Sequence, residues 1–331
     1  MKIVLLHSGQ ENSERLDTQN ELFLAREIEQ QLKALHLDHI VIAVQADLSL
    51  LAEQLVNYQP DCVINLVEAF AGNTADLYLI PLLLEKLKLP FTGGSSRNFI
   101  MTTNKVTSKH WMRLHDIATP EWYTYQEVMS AKHTELEKLY IVKLIAEDSS
   151  LAIGQDSVVS DKAALTALID GRLKPWRSQW FLERYIPGRE FAISLLWVND
   201  KLITLPIYEH IFSKDSLYPI IDWSCKWEPE SLQCRNHSRR FVFSDKDESL
   251  LAKLQHMAIT CCNAFELRDY ARVDCRVDSE GNIWVLEINV NPDISSDAGF
   301  MIAANYAGFE QKSIVEQLIQ RSMNQSPLKR V

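Results

Sequence analysis

The 331-residue sequence is short of the features that mark several functional classes. It has no basic surplus: 34 Lys and Arg stand against 44 Asp and Glu, a formal charge of −10, whereas a nucleic-acid binder normally shows a basic face. The densest basic run, Arg235 to Arg240 in RNHSRR, reads as a solvated loop. No apolar stretch reaches the ~20 residues that span a bilayer. The segment MKIVLLHSG is too short for a signal-peptide core and reads as a first buried strand. Neither nucleic acid nor membrane is therefore an expected partner. Six cysteines (Cys62, Cys225, Cys234, Cys261, Cys262 and Cys275) include no C-x-x-C pair and no histidine at zinc-ligand spacing. They read as small core residues of a reduced, cytoplasmic protein. There is no G-x-G-x-x-G dinucleotide fingerprint, no Ser-His or Cys-His arrangement, and no internal repeat. What remains, 47% hydrophobic and 24% charged, is an ordinary globular composition with room for two or three domains.

The N-terminal third alternates strand and helix signals: KIVLL, then NELFLAREIEQQLKAL, HIVIAV, LSLLAEQLVNY and DCVINLVE. That order implies a βαβαβ unit, with a parallel sheet covered by helices. After the turn PFTGGSS comes a helix around TTNKVTSKHWMRLH, begun by Lys105. From about Tyr140 the texture changes to short strands and turns. A stripe of Leu250, Leu251, Leu254, Met257, Ala258, Cys261 and Phe265 then repeats with a helical period. The expected fold class is α/β and α+β, a Rossmann-like layer followed by an antiparallel body.

The stretch YARVDCRVDSEGNIWVLEINVNPD (Tyr270 to Asp293) reads as a hairpin with one apolar and one polar face on each strand. Alternation places Trp284, Leu286, Ile288 and Val290 on the apolar side and Glu287, Asn289 and Asn291 on the other. A loop of even length opposes Asp274 to Glu287 and Arg272 to Asn289, and the alternation favours an even loop. Two opposed carboxylates destabilise a strand pair unless a cation offsets them. A hard divalent metal held by carboxylate and amide oxygens would do so; so would Arg272 and Arg276 on an ordinary solvated face.

Lys105, Lys143 and Lys226 sit where apolar periodicity does not ask for them. Each alone reads as a surface lysine; together with the carboxylate pair they suggest a triphosphate held between lysines and metal ions. The loop AEDSSLAIG offers hydroxyls and backbone N–H groups for phosphates, with too few glycines for a P-loop. In FLERYIPGREF, Glu183 and Glu190 suit an adenine amine and a ribose hydroxyl, or ion pairs with Arg184 and Arg189.

These pieces (PFTGGSSRNFIMTTNK, ATPEWY, IVK, EDSS, FLERYIPGREF and RVDCRVDSEGNIWVLEINVNPD) resemble the D-alanine–D-alanine ligase branch of the ATP-grasp superfamily over nearly the whole chain. The resemblance implies an N-terminal Rossmann-like (pre-ATP-grasp) domain over 1–98, a central ATP-grasp subdomain over 99–180, and a C-terminal subdomain with lid and metal hairpin over 181–331. It implies Lys105 and Lys143 on the α- and β-phosphates of ATP, with Ser149 and Ser150 in the covering loop. Glu183 and the backbone of Arg184 and Ile186 would hold adenine, Glu190 the ribose, and Lys226 in the lid the γ-phosphate. Asp274, Glu287 and Asn289 would bind two Mg²⁺, or Mn²⁺ in their place. Arg272 and the backbone N–H of Asp293 would stabilise a tetrahedral intermediate, and Glu14, or equally Asp17, would be the N-terminal substrate acid. The implied reaction joins a carboxylate to an amine through an acyl phosphate, which needs no covalent enzyme intermediate. Homodimers are common in the family.

The sequence departs from that family where the acceptor binds. The lid has Trp227 after Lys226 in place of tyrosine. NPDISSDAGF puts Asp293 at a family glycine and Ala298 or Gly299 near a carboxylate-binding serine, with Asp297 beside them. Asp148 and Ala152 replace loop glycines, and the early glycine-rich substrate motif is reduced to EAFAGNTAD. The expectation is therefore a carboxylate–amine ligase not dedicated to D-alanyl-D-alanine. The alternatives are D-alanine–D-alanine ligase itself and a nucleotide-binding protein without catalysis.

Overall fold

A computed structural model describes residues 1–9, 16–130, 136, 138–147, 150–212, 216–228 and 230–325. The strands β1 (Lys2–His7), β2 (Asp38–Ala43) and β3 (Cys62–Asn65) form a parallel sheet in the order β2–β1–β3. Their crossovers are α1 (Leu16–Ala34) and α2 (Leu48–Tyr58), with α3 (Leu79–Lys86) following β3. β1 and β3 are apolar almost throughout and fully buried after Lys2, as strands covered on both faces must be. This is the βαβαβ unit expected from the alternating signals.

Two short helices lead out of this layer. In α4 (Ser96–Thr103) the Ser95 hydroxyl and the Asn98 side chain cap the first turn reciprocally. Asn104 ends that helix and caps the next, α5 (Lys105–Leu114), by accepting from Thr107 N. The expected single helix is therefore broken at Asn104, whose extended backbone lets its side chain satisfy an orphan N–H.

The central sheet contains β4 (Trp122–Thr124), β5 (Tyr140–Leu144), β6 (Val158–Val159) and β7 (Trp180–Arg184), all antiparallel, in the order β4–β7–β5–β6. It carries α6 (Tyr125–Met129) and α7 (Lys162–Asp170). The third sheet comprises β8 (Arg189–Val198), β9 (Lys201–Thr204), β10 (Tyr208–Ile211), β11 (Ser238–Arg240), β12 (Tyr270–Val277) and β13 (Ile283–Asn289). Its path is β11–β10–β8–β12–β13, with β9 also on β8. Between β10 and β11 lie α8 (Trp223–Trp227) and α9 (Leu232–Arg235); α10 (Glu248–Ala264) precedes β12. The apolar stripe of α10 covers one face of this sheet, packing Leu254, Ala258, Cys261 and Phe265 with Phe191, Ile193, Val273 and Cys275.

The last helices return to the beginning of the chain. α11 (Gly299–Tyr306) and α12 (Gln311–Gln325) bury Phe300, Met301, Ile314, Val315, Leu318 and Ile319 with Ile3, Leu5, Leu24 and Ile28. Cys62 Sγ meets Ser322 Oγ at 3.0 Å across this contact. All six cysteines are free; Cys234 is half-buried in the cleft rather than in a core. Among the described residues no helix is long and apolar enough to cross a membrane.

The PFTGGSS turn is pressed against the end of the hairpin. Gly93 has φ +87°, and a Cβ there would collide with Asn291 Oδ1. That oxygen already accepts from the Tyr270 hydroxyl at 2.6 Å, while Asn291 Nδ2 donates to Asn65 O at 3.0 Å. Gly281, in the hairpin loop, has nearly the same φ (+83°) but open space around it. Gly281→Ala should therefore cost only the backbone strain, about 1 kcal/mol, and Gly93→Ala at least about twice that. Thermal denaturation of both variants checks the difference; equal losses would remove the steric role of Gly93.

Candidate active site

The hairpin brings its polar residues together as the strand alternation requires, by a route the sequence did not suggest. Arg272 opposes Asn289, and Asp274 opposes Glu287, as expected. The loop, however, is odd: Val277 pairs with Ile283, leaving 278–282 as the turn, stapled by Asp278, whose Oδ1 accepts from Glu280 N and Asn282 N. A bulge beyond Asp274 makes up the difference, since Cys275 pairs with Val285, so Leu286 is the extra residue. The bulge exchanges faces. Val285 joins Ile288 and Val290 in the core, whereas Leu286, expected there, lines the cleft. Trp284 also leaves the expected face, donating from Nε1 to Asp278 Oδ2 at 2.8 Å.

Lys105, Lys143, Ser150, Glu183, Arg184, Ile186, Glu190, Lys226, Arg272, Asp274, Glu287 and Asn289 all line one cleft of about 1850 Å³. A single drug-sized ligand takes roughly 300–1,000 Å³, so this cleft has room for more than one. Glu14 and Ser149 lie outside the described residues, as do the side chains of Asp17 and Trp227.

Neither Lys105 nor Lys143 is a surface lysine: their side chains are 9% and 13% exposed. Lys105 Nζ donates to Glu147 O at 2.7 Å and lies 3.6 Å from Glu287 Oε2. Lys143 Nζ donates to Glu183 Oε1 at 2.6 Å. Lys226 is exposed on α8. The Ser150 hydroxyl donates to Ile221 O at 2.8 Å, tying the loop after β5 to the segment leading into α8.

The two glutamates of FLERYIPGREF do not pair with Arg184 and Arg189, which face Trp284 and Glu209 instead. Glu183 is fully buried between two lysines. Besides Lys143, Lys109 forms an ion pair with Glu183, its Nζ 2.5 Å from Oε2. Lys109 is itself inaccessible and donates to Thr119 Oγ1 at 2.7 Å, which donates to Val285 O at 2.7 Å. The sequence did carry a signal for it: Lys109 is four residues after Lys105 on one helix and so shares its face. Burial alone would raise the Glu183 pKa, but Lys109 and Lys143 hold it below the usual range. Burial lowers Lys109 to about 8, with Glu183 opposing the shift. Glu190 accepts from Arg276 Nε at 3.0 Å, and Arg276 is anchored by Ile186 O and Pro219 O. Burial raises the Glu190 pKa despite this partner.

At the hairpin, Arg272 forks onto Asp274, with Nε 2.9 Å from Oδ1 and Nη2 2.9 Å from Oδ2. Burial opposes ionisation of Glu287, yet Lys105, Lys226, Lys143 and Arg272 hold its pKa well below the ordinary glutamate value. It is therefore an anion at neutral pH. Asp274, Glu287 and Asn289 offer oxygen donors of the kind Mg²⁺ takes. Among the described residues no group of three or more His, Cys, Asp or Glu surrounds a metal position. The set fits a cation that fills its shell with substrate phosphates and water, as Mg²⁺ does.

Two antiparallel sheets closing over lysines on one side and opposed carboxylates on the other define an ATP-grasp fold. The chain matches the family described as D-ala D-ala ligase C-terminus over residues 106–320. It is 26% identical over 320 residues to a D-alanine–D-alanine ligase of Aquifex aeolicus, covering 96% of this chain and all of that one. Its fold superposes on the Bacillus anthracis D-alanine–D-alanine ligase crystallised with ATP (TM-score 0.75, 19% identity, 98% of each chain). It also superposes on the VanG D-Ala:D-Ser ligase of Enterococcus faecalis (TM-score 0.71, 17% identity, 97% and 99%). The chain belongs to the D-alanine–D-alanine ligase family and is an ATP-dependent ligase that forms carbon–nitrogen bonds.

Lys109→Met leaves Glu183 with one counter-ion in a buried site. Breaking a buried pair by removing one partner costs about 3–5 kcal/mol, so a loss of that size is expected in denaturant unfolding. A loss under about 1 kcal/mol would show that Lys143 alone suffices.

Proposed function

We propose that this chain forms an amide from a carboxylate and an amine through an acyl phosphate, with ATP and Mg²⁺, and that its amine acceptor is not a second D-alanine. The observation that carries the chemistry is the opposition of Asp274 and Glu287 in a cleft also lined by Lys105 and Lys143. In this reading the donor carboxylate oxygen attacks the γ-phosphorus and ADP leaves. The neutral amine then attacks the acyl carbon; the C–N bond forms as the C–O bond to phosphate breaks, and the proton shed by the nitrogen leaves on the phosphate.

Each side chain has a physical task in that sequence. Lys105 and Lys143 offset the charge of the inner phosphates, and Lys226 reaches the γ-phosphate from α8. Glu183 would hold the adenine amine, the backbone of Arg184 and Ile186 the ring edge, and Glu190 the ribose. Ser150 orders the loop that covers the phosphates. Arg272 and the backbone N–H of Asp293 stabilise negative charge on the tetrahedral intermediate. Mg²⁺ held by Asp274, Glu287 and Asn289 would neutralise charge on the transferred phosphoryl group.

The acceptor side supports the substrate reading. Asp293 Oδ1 accepts from Ser295 N at 2.7 Å and Ser295 Oγ at 2.6 Å, and Asp293 Oδ2 accepts from Asn20 Nδ2 at 3.0 Å. Its carboxylate is thus fixed in the lining, with exposed Asp297 and Ala298 beside it. An acceptor α-carboxylate there would lose a charge-assisted hydrogen bond worth roughly 1.5–3 kcal/mol and meet an added anion. The full-length similarity to the Aquifex ligase favours a second reading, D-alanyl-D-alanine synthesis.

Two measurements decide. Glu287→Gln should lower ATP-dependent phosphate release roughly 100-fold or more, the scale of a lost transition-state electrostatic contact, with the folded state retained by circular dichroism. Turnover like the unaltered enzyme would reject the metal assignment. With D-alanine alone at millimolar concentration the enzyme should release little phosphate, and an amine lacking an adjacent carboxylate should do better. Robust D-alanyl-D-alanine formation would put the second reading first.

A further inference from the structure

One strip of the cleft wall takes no part in the nucleotide reading. β10 and β11 form the edge of the third sheet opposite the hairpin, and directly opposed residues share a face. Tyr208 opposes Ala192 and His210 opposes Glu190; Arg239 in turn opposes His210. Tyr208, His210 and Arg239 therefore point to the side that holds Glu190 and Arg272, and all line the same cleft. Arg240, on the other face, engages Glu209, whereas Arg239 makes no ion pair with a carboxylate among the described residues. The Arg239 guanidinium lies 5.8 Å from the centre of the Tyr208 ring. The Tyr208 hydroxyl is pressed against Gly299, leaving no space for a Cβ, immediately after Ala298. Arg239, exposed and with no carboxylate partner among the described residues, thus stands one side chain away from the turn that leads into α11.

His237 and His210 together add one donor beside it. Its Nε2 lies 2.7 Å from His210 Nδ1, and burial lowers the pKa of both rings, that of His237 to about 4. Two neutral imidazoles sharing one hydrogen bond leave one ring N–H and one ring lone pair for other partners, whichever tautomer each adopts.

The register also gives a length. Arg272 opposes Ser194 on β8, four residues from Glu190, the residue aligned through His210 with Arg239. Four residues advance ~13 Å and three strand steps ~14 Å, so the two arginine backbones are about 19 Å apart. The arginine side chains bridge part of that gap, and a peptide of two or three residues, spanning roughly 7–11 Å, bridges more of the remainder than a single α-amino acid does.

We propose that Arg239, with His237 beside it, is a subsite for the carboxylate of a peptide-like acceptor two or three residues long, whose amine is presented at Arg272. The subsite rests on the amide-forming reading of the cleft, so its test separates binding from turnover. The probes are alanine, dialanine and trialanine of both configurations, each as the free acid and as the C-terminal amide. They are titrated calorimetrically into the enzyme carrying Mg²⁺ and a non-hydrolysable ATP analogue, then assayed for phosphate release with ATP and alanine as donor. Dialanine or trialanine acid should bind at least tenfold more tightly than its amide and than alanine. Arg239→Gln should collapse the acid-over-amide preference to near unity. Equal binding of acid and amide, a preference that survives Arg239→Gln, or no binding of any probe would overturn the subsite. Selective binding without phosphate release would uphold the subsite and count against the ligase reading alone.

Discussion

Two carboxylates facing each other across a strand pair, Asp274 and Glu287, are the constraint around which the cleft is arranged. At that separation like charges destabilise the sheet, and partial desolvation adds a cost for Glu287. The surroundings offset both. Arg272 grips Asp274 from the same strand, and Lys105 approaches Glu287 from the first turn of α5. Cations from α5, β5, α8 and β12 all pull the Glu287 pKa down. Elements far apart in the chain thus meet because an uncompensated anion pair would not be stable where the hairpin places it.

The same accounting recurs one layer away. Glu183 is fully buried with Lys143 on one oxygen and Lys109 near the other, so the central sheet carries its own charge cluster beneath the cleft. Lys109 reaches through Thr119 to Val285 O, a residue next to the Leu286 bulge. Helix α5 therefore contacts both walls: Lys105 the Glu287 carboxylate on β13 and, one turn on, Lys109 the Glu183 carboxylate on β7. A shift of that helix would disturb both anions together.

The far end of the cleft carries separated charges of both signs. Fixed and exposed acids, Asp293 and Asp297, occupy the side toward the first sheet, and Arg239 stands on the β11 edge.

Much of this was legible in the amino-acid order, because it depends on local spacing. The βαβαβ layer follows from alternating apolar runs, the helical stripe of α10 from its period, and the Asp274–Glu287 and Arg272–Asn289 pairings from two-residue alternation. Three features were not legible. The bulge at Leu286 reverses the faces of three residues, because an odd loop held by Asp278 must be reconciled with the pairing at Asp274; no single-strand pattern records that compromise. The partners of Glu183 and Glu190 turned out to be Lys109, Lys143 and Arg276 rather than the adjacent arginines, since residues next to each other on a strand point to opposite faces. Arg239 reads as one member of a solvated basic run until β11 pairs with β10 and places it, still exposed, on the face that lines the cleft. Sequence determined what each strand carries; only the order β11–β10–β8–β12–β13, set by contacts between segments far apart in the chain, decided which charges face one another.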